Sequence, residues 1–139
     1  MGRARTRRLT PPPPLSIVLD AGALIALEKR DPRLEALLRR TLVQQTSILI
    51  PAGVLAQVWT GDARQAPIHA LLKRATTQVV AMDRVLAEAI GRLCVRAGSS
   101  DVVDASVVLV ARQVARAIVL TSDPEDLRRL DPDLPIEVV

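Results

Sequence analysis

The chain has 139 residues, 49% hydrophobic and 24% charged, long enough to bury a core as one domain without disulfides or a structural metal and too apolar to be disordered over most of its length. A single Cys excludes an internal disulfide, and aromatic residues are down to Trp59 alone, which excludes RNA recognition by stacked aromatic platforms. The net charge of +4 resides in Arg3, Arg5, Arg7 and Arg8, because removing these four from the 19 basic side chains leaves as many as the 15 acids. The folded part is therefore neutral, and the pI of about 10.5 does not describe a basic face.

In chain order, residues 1–14 join the arginine cluster to Pro11, Pro12, Pro13 and Pro14. This composition predicts a disordered arm, and the prolines stand where a secretory signal needs an apolar run. Residues 15–139 read as a single domain. A buried strand is expected over 15–19, an apolar helix over 21–28 and a second helix opening at Asp31-Pro32, with Leu34, Leu37 and Leu38 on one face. A strand at 47–50 precedes a helix that Pro51 opens and Gly61 ends, then a helix over 64–75 and a strand over 78–82. From Asp83 to Ala97 a polar stripe of Arg84, Glu88, Arg92 and Arg96 opposes Leu86, Ala89, Ile90 and Leu93, which predicts a helix with one solvated face. Cys94 falls within it as a small buried hydrophobe, and suits a reducing, cytoplasmic setting. Residues 101–116 are too long for a strand and read as a buried helix despite six valines; a strand at 117–121, a helix at 124–130 and a strand at 136–138 complete the chain. No apolar run is long enough to cross a membrane. Apolar, non-alternating strands between helices imply an α/β fold with a mostly parallel central sheet flanked by helices.

In such folds the working site lies beyond the carboxyl ends of the strands, where strand order reverses. Asp20 follows the first strand, Asp123 follows the strand ending at Thr121, and Asp101 and Asp104 open the buried helix between them. Each acid alone has a structural explanation: Asp20, Asp101 and Asp123 suit helix N-caps, and Asp104 suits a first turn. All would meet in one crevice if the strands ending at Leu19 and Thr121 are neighbours. Clustered carboxylates repel one another, and a hard cation, Mg²⁺ or Mn²⁺, is the usual resolution; such sites activate water and neutralise phosphodiester charge in nucleases and phosphatases. Rival sites lack parts: there is no phosphate-binding Gly loop, and the one His, His69, has no partner for zinc and lies far from every strand end.

These residues also carry a resemblance. Val18-Leu19-Asp20-Ala21, Ile50-Pro51-Ala52 with Val54-Leu55-Ala56, Asp101-Val102-Val103-Asp104-Ala105 and Leu120-Thr121-Ser122-Asp123, in this order and spacing, resemble the signature of PIN-domain ribonucleases, particularly the VapC toxins of toxin-antitoxin pairs. The resemblance implies a PIN-like three-layer fold and a Mg²⁺-dependent endoribonuclease, often a homodimer, held inactive by a small antitoxin. It places Asp20, Asp104 and Asp123 at the acidic metal positions and Thr121 or Ser122 at the hydroxyl beside the last acid. One position departs: the family's Glu after the second strand is Gln57 here, whose amide lacks the charge that helps hold a cation. Asp101 is the acid expected to replace that charge as a further metal ligand. Two readings follow, an active nuclease cleaving RNA with a rearranged acid set, or a catalytically weakened PIN-like protein that dimerises or binds a partner. Arg39, Arg40, Arg64 and Arg74 are candidate contacts for RNA phosphates, although solvated helix faces explain them equally well.

Overall fold

The computed structural model describes residues 16–139; the expected disordered arm, residues 1–14, lies outside the described residues. Five short strands, β1 (Ser16–Leu19), β2 (Ser47–Pro51), β3 (Thr77–Val80), β4 (Ala117–Thr121) and β5 (Ile136–Val138), form one sheet in the order β3-β2-β1-β4-β5 with every pairing parallel. The three central strands are apolar at almost every position because both faces are covered: Val18, Leu19, Ile48, Ile50 and Val119 are wholly buried. Among the described residues, no helix is long and apolar enough to cross a membrane.

The helices are α1 (Ala21–Glu28), α2 (Pro32–Gln44), α3 (Ala52–Val58), α4 (Ala66–Leu72), α5 (Arg84–Ala97), α6 (Val102–Arg112) and α7 (Pro124–Leu130). From β1 the chain steps outward to β2 and β3, then crosses back to β4 and β5. With right-handed crossovers the reversal carries α5, α6 and α7 to the face opposite α1, α2 and α4. Local chemistry sets the ends. Asp31 caps α2 through Leu34 N–H with Pro32 in the first turn, and Asp83 caps α5 through Leu86 N–H. Gly98 closes α5 at φ 65°, where the left-handed turn lets Ser99 N–H reach the Cys94 carbonyl.

Several boundaries differ from expectation for identifiable reasons. Pro51 ends β2 rather than entering the helix. Helix α3 stops at Val58, short of Gly61, because the Thr60 and Gly61 N–H groups donate to Gln65 Oε1 at 2.9 and 3.0 Å instead of continuing the helix. The expected helix over 64–75 starts as a 3-10 turn at Ala63–Gln65 and ends at Leu72. Helix α6 stops at Arg112, and Arg116, assigned to that helix from the sequence, has φ 52° at the turn into β4.

Candidate active site at the carboxyl ends of the strands

The adjacency on which the acid site depends is present. β1 and β4 are parallel neighbours, Leu19 pairs with Leu120, and Asp20 N–H continues the ladder to the Leu120 carbonyl at 3.3 Å. Asp20 and Asp123 thus leave adjacent strands at the point where strand order reverses.

Asp20 is only 6% exposed. Its Oδ1 accepts the Ala23 N–H at 2.9 Å, capping α1, and the Thr121 hydroxyl lies near its carboxylate. Burial raises the Asp20 pKa, opposed by the Thr121 hydroxyl and the Ala23 N–H and reinforced by the nearby charge of Asp123. The same Thr121 oxygen accepts the Asp123 N–H at 2.9 Å. One wholly buried hydroxyl therefore lies between the Asp20 carboxylate and the Asp123 backbone. Asp123 stands at the N-cap position of α7 yet makes no capping bond through its side chain, so the capping explanation fails for it.

Across the crevice, Asp101 caps α6 through the Asp104 N–H at 2.9 Å. Asp104, in the first turn, is pushed up to about 7, chiefly by burial, then by the charge and hydrogen bond of Asp101, with further repulsion from Asp20 and Asp126. The acids are thus within electrostatic reach of one another, and among the described residues no cation offsets the charge of Asp20 or Asp104. Among the described residues, no group of three His, Cys, Asp or Glu side chains is close enough to hold an ion jointly. The donor set is hard carboxylate oxygen in mutual repulsion, which fits Mg²⁺ or Mn²⁺ held through one or two carboxylates with water completing the shell, not an all-protein cage.

Ser122 is exposed, and its hydroxyl rests where a Cβ on Gly22 would overlap it, so the first turn of α1 has space for that hydroxyl only because residue 22 is glycine. Gln57 is exposed on α3. A Cβ at Gly53, one turn before it, would lie 3.8 Å from Val103 Cγ2, so this helix face looks toward the start of α6, where Asp104 lies.

The four arginines named from the sequence are not brought to the acids. Arg74 donates to the Leu38 carbonyl at 3.0 Å, Arg64 pairs with Asp62 at 2.9 Å, and the clefts that Arg39 and Arg40 line contain none of the four acids. His69 is exposed and packs on Trp59 with ring centroids 4.6 Å apart. Two residues escaped the sequence reading. Asp126 lies three residues after Asp123, a helical spacing that already pointed to the same acid cluster. Gln65 is completely buried, and nothing in its polar neighbourhood announced this.

Comparison with solved structures finds similar folds at low sequence identity. A chain from the crystal structure of VapBC2 from Rickettsia felis, bound to a DNA fragment from their promoter, superimposes with a TM-score of 0.65 at 14% identity, covering 89% of this chain and 98% of that one. A chain of FitAcB from Neisseria gonorrhoeae gives 0.58 at 16% identity, covering 86% and 95%. No curated protein sequence matches. The sequence profile of the PIN domain spans residues 17–132, from β1 through the acids to the residues after α7, and on that span the chain belongs to the PIN-domain family.

Proposed function

We propose that the chain is a Mg²⁺-dependent endoribonuclease, the toxin half of a toxin-antitoxin pair, acting in the cytoplasm as a homodimer and restrained by an antitoxin protein. The observation that carries this reading is that parallel neighbours β1 and β4 bring Asp20 and Asp123 to the two sides of one buried Thr121 hydroxyl, with Asp104 close enough to Asp20 for mutual repulsion. Family membership and the likeness to VapBC2 and FitAcB support it. When bound, Mg²⁺ or Mn²⁺ supplies Lewis-acid stabilisation of phosphodiester charge and makes water nucleophilic near neutral pH. The chain's own residues prepare the place. The Ala23 N–H fixes the orientation of the Asp20 carboxylate, and the Asp123 N–H fixes the Thr121 hydroxyl near it. Asp104 presents a carboxyl that holds a proton close to neutrality until positive charge arrives.

A second reading rests on Gln57, an amide at the position where the resemblance places a Glu: a weakened PIN-like protein that dimerises or binds a partner. One experiment separates the two. Asp20→Asn, Asp104→Asn and Asp123→Asn should each lower Mg²⁺-dependent RNA cleavage by about a hundredfold or more while circular dichroism stays unchanged, because each removes a ligand charge and little packing. Cleavage that persists in all three variants, or that EDTA does not suppress, removes the metal-nuclease reading; a natural protein that binds a partner but cuts no RNA establishes the second.

A further inference from the structure

The acids of α6 form one wall of a cleft of about 250 Å³ that is closed by the turn after α5 and by α7. Gly98, Ser99, Asp101 and Asp104 line it on one side, Asp126 and Arg129 on the other. An RNA strand entering here meets three carboxylates, and among the described residues Arg129 is the one cation in the lining. Arg129 Nη1 donates to Asp126 Oδ1 at 2.8 Å, one turn away on α7. Both side chains remain largely open to water, 74% and 47% exposed. An ion pair this open is weak and readily shared. A guanidinium has five donors in a planar fork, so a single bond to Asp126 aims the group and leaves donors free for the paired oxygens of a phosphate.

We propose that Arg129, aimed by Asp126, is the substrate-positioning cation of this cleft and grips a phosphate of the RNA strand that passes Asp104. The inference rests on the endoribonuclease reading and goes beyond it by naming where the backbone of the substrate is held. Neighbouring Arg128 is exposed on the same helix and does not line the cleft, which makes it an internal control of equal charge.

The test uses the full chain and a fluorescent pool of random-sequence single-stranded RNA. Binding is measured in EDTA over a range of KCl, and cleavage is measured separately with Mg²⁺. Arg129→Ala should weaken binding about tenfold, and Arg129→Gln, which retains the aliphatic stem, should do the same. Both should lower the slope of log affinity against log salt by about 0.7, the value for one single-strand phosphate contact. Arg129→Lys should restore the salt slope but only part of the affinity, because a point charge lacks the fork. Arg128→Ala should stay within about twofold of the natural protein. In cleavage, KM should rise with kcat nearly unchanged, the signature of lost substrate binding. Equal losses in Arg128→Ala and Arg129→Ala, or an unchanged salt slope in Arg129→Gln, overturn the proposal while RNA cleavage by the natural protein stands. A natural protein that neither binds nor cleaves the pool overturns the nuclease reading and this inference with it.

Discussion

Asp20 and Gln65 are both polar side chains withdrawn from water, at 6% and 0% exposure, and their surroundings treat them in opposite ways. Gln65 uses its full capacity: Oε1 accepts from the Thr60 and Gly61 N–H groups, and Nε2 donates to the Val58 carbonyl and the Glu28 carboxylate, all between 2.8 and 3.0 Å. It is a neutral amide whose every bond goes to its own corner of the fold. Asp20 also has bonds, but it carries charge into a low-dielectric place beside Asp123 and Asp104, and the group at the centre of the repulsion, Asp104, is pushed up to about 7. A buried polar group that is fully satisfied builds architecture; buried charge that is left short of counter-charge marks a place prepared for something to arrive.

The widest gap between the two regions should appear in stability. Gln65→Leu leaves two N–H groups, a carbonyl and a carboxylate without their partner, and should destabilise the chain by roughly 2–4 kcal/mol in urea titration. A loss below about 0.5 kcal/mol, the scale of an ordinary surface change, would break the comparison at its architectural end.

Asp104→Asn should do the reverse. The folded pKa of Asp104 lies above its ordinary value of 3.8, so the native state binds the proton more tightly than the unfolded chain. Its penalty is absent below pH 3.8, grows as pH rises and is complete above about 7. The Asn variant should therefore be more stable than the natural protein by about 1–2 kcal/mol at pH 8, after allowance for solvent screening, and the gain should shrink toward pH 5. Saturating Mg²⁺ should flatten the same profile in the natural protein. A variant less stable at pH 8 would mean that Asp104 contributes bonds and not strain.

A smaller effect is expected where the site is short of an acid. Gln57→Glu should tighten Mg²⁺ by about three- to tenfold in calorimetric titration, since attraction across partly screened distances recovers only part of the Coulomb energy. If Asp101 serves as the replacement acid, Asp101→Asn should weaken Mg²⁺ more in the natural background than beside Glu at position 57; additive effects would leave Asp101 as the cap of α6, a duty that Asn performs equally well.

Smallest of all is the stability change in Gly22→Ala. The helical preference of Ala, worth up to about 1 kcal/mol, offsets the displacement of the Ser122 hydroxyl, so the melting temperature should barely move. Cleavage should nevertheless fall several-fold, because the displaced Ser122 directly precedes Asp123. Equal activity would show that this hydroxyl takes no part in preparing the site.

What the sequence could convey follows the range of the interactions involved. Local signals placed every element: caps such as Asp31 and Asp83, the polar stripe of α5 and the unbroken apolar strands act within a few residues. The nearness of Asp20 and Asp123 was legible because the rule that directs attention to strand ends is itself topological, and it needed only one pairing, β1 with β4, to be realised. Partners that depend on tertiary contact were not legible. Gln65 falls in the helix expected over 64–75 with nothing to mark it as buried, and its amide bonds Glu28, 37 residues away in the chain. Arg74 reads as a free cation until the Leu38 carbonyl, 36 residues away, claims it. Arg128 and Arg129 carry equal charge side by side, and only the cleft distinguishes them.

The central pairing of Ser16 with Ala117 also sets a timetable. β1 is among the first described segments to leave the ribosome, yet one of its edges stays open until β4 arrives, about a hundred residues later. Closing so long a loop makes this pairing a late step in folding. Asp20 cannot meet Thr121 and Asp123 before that moment. A chain interrupted ahead of β4 lacks both Thr121 and Asp123 whatever else it holds, so the acids at the strand ends come together only when synthesis of the domain is nearly finished.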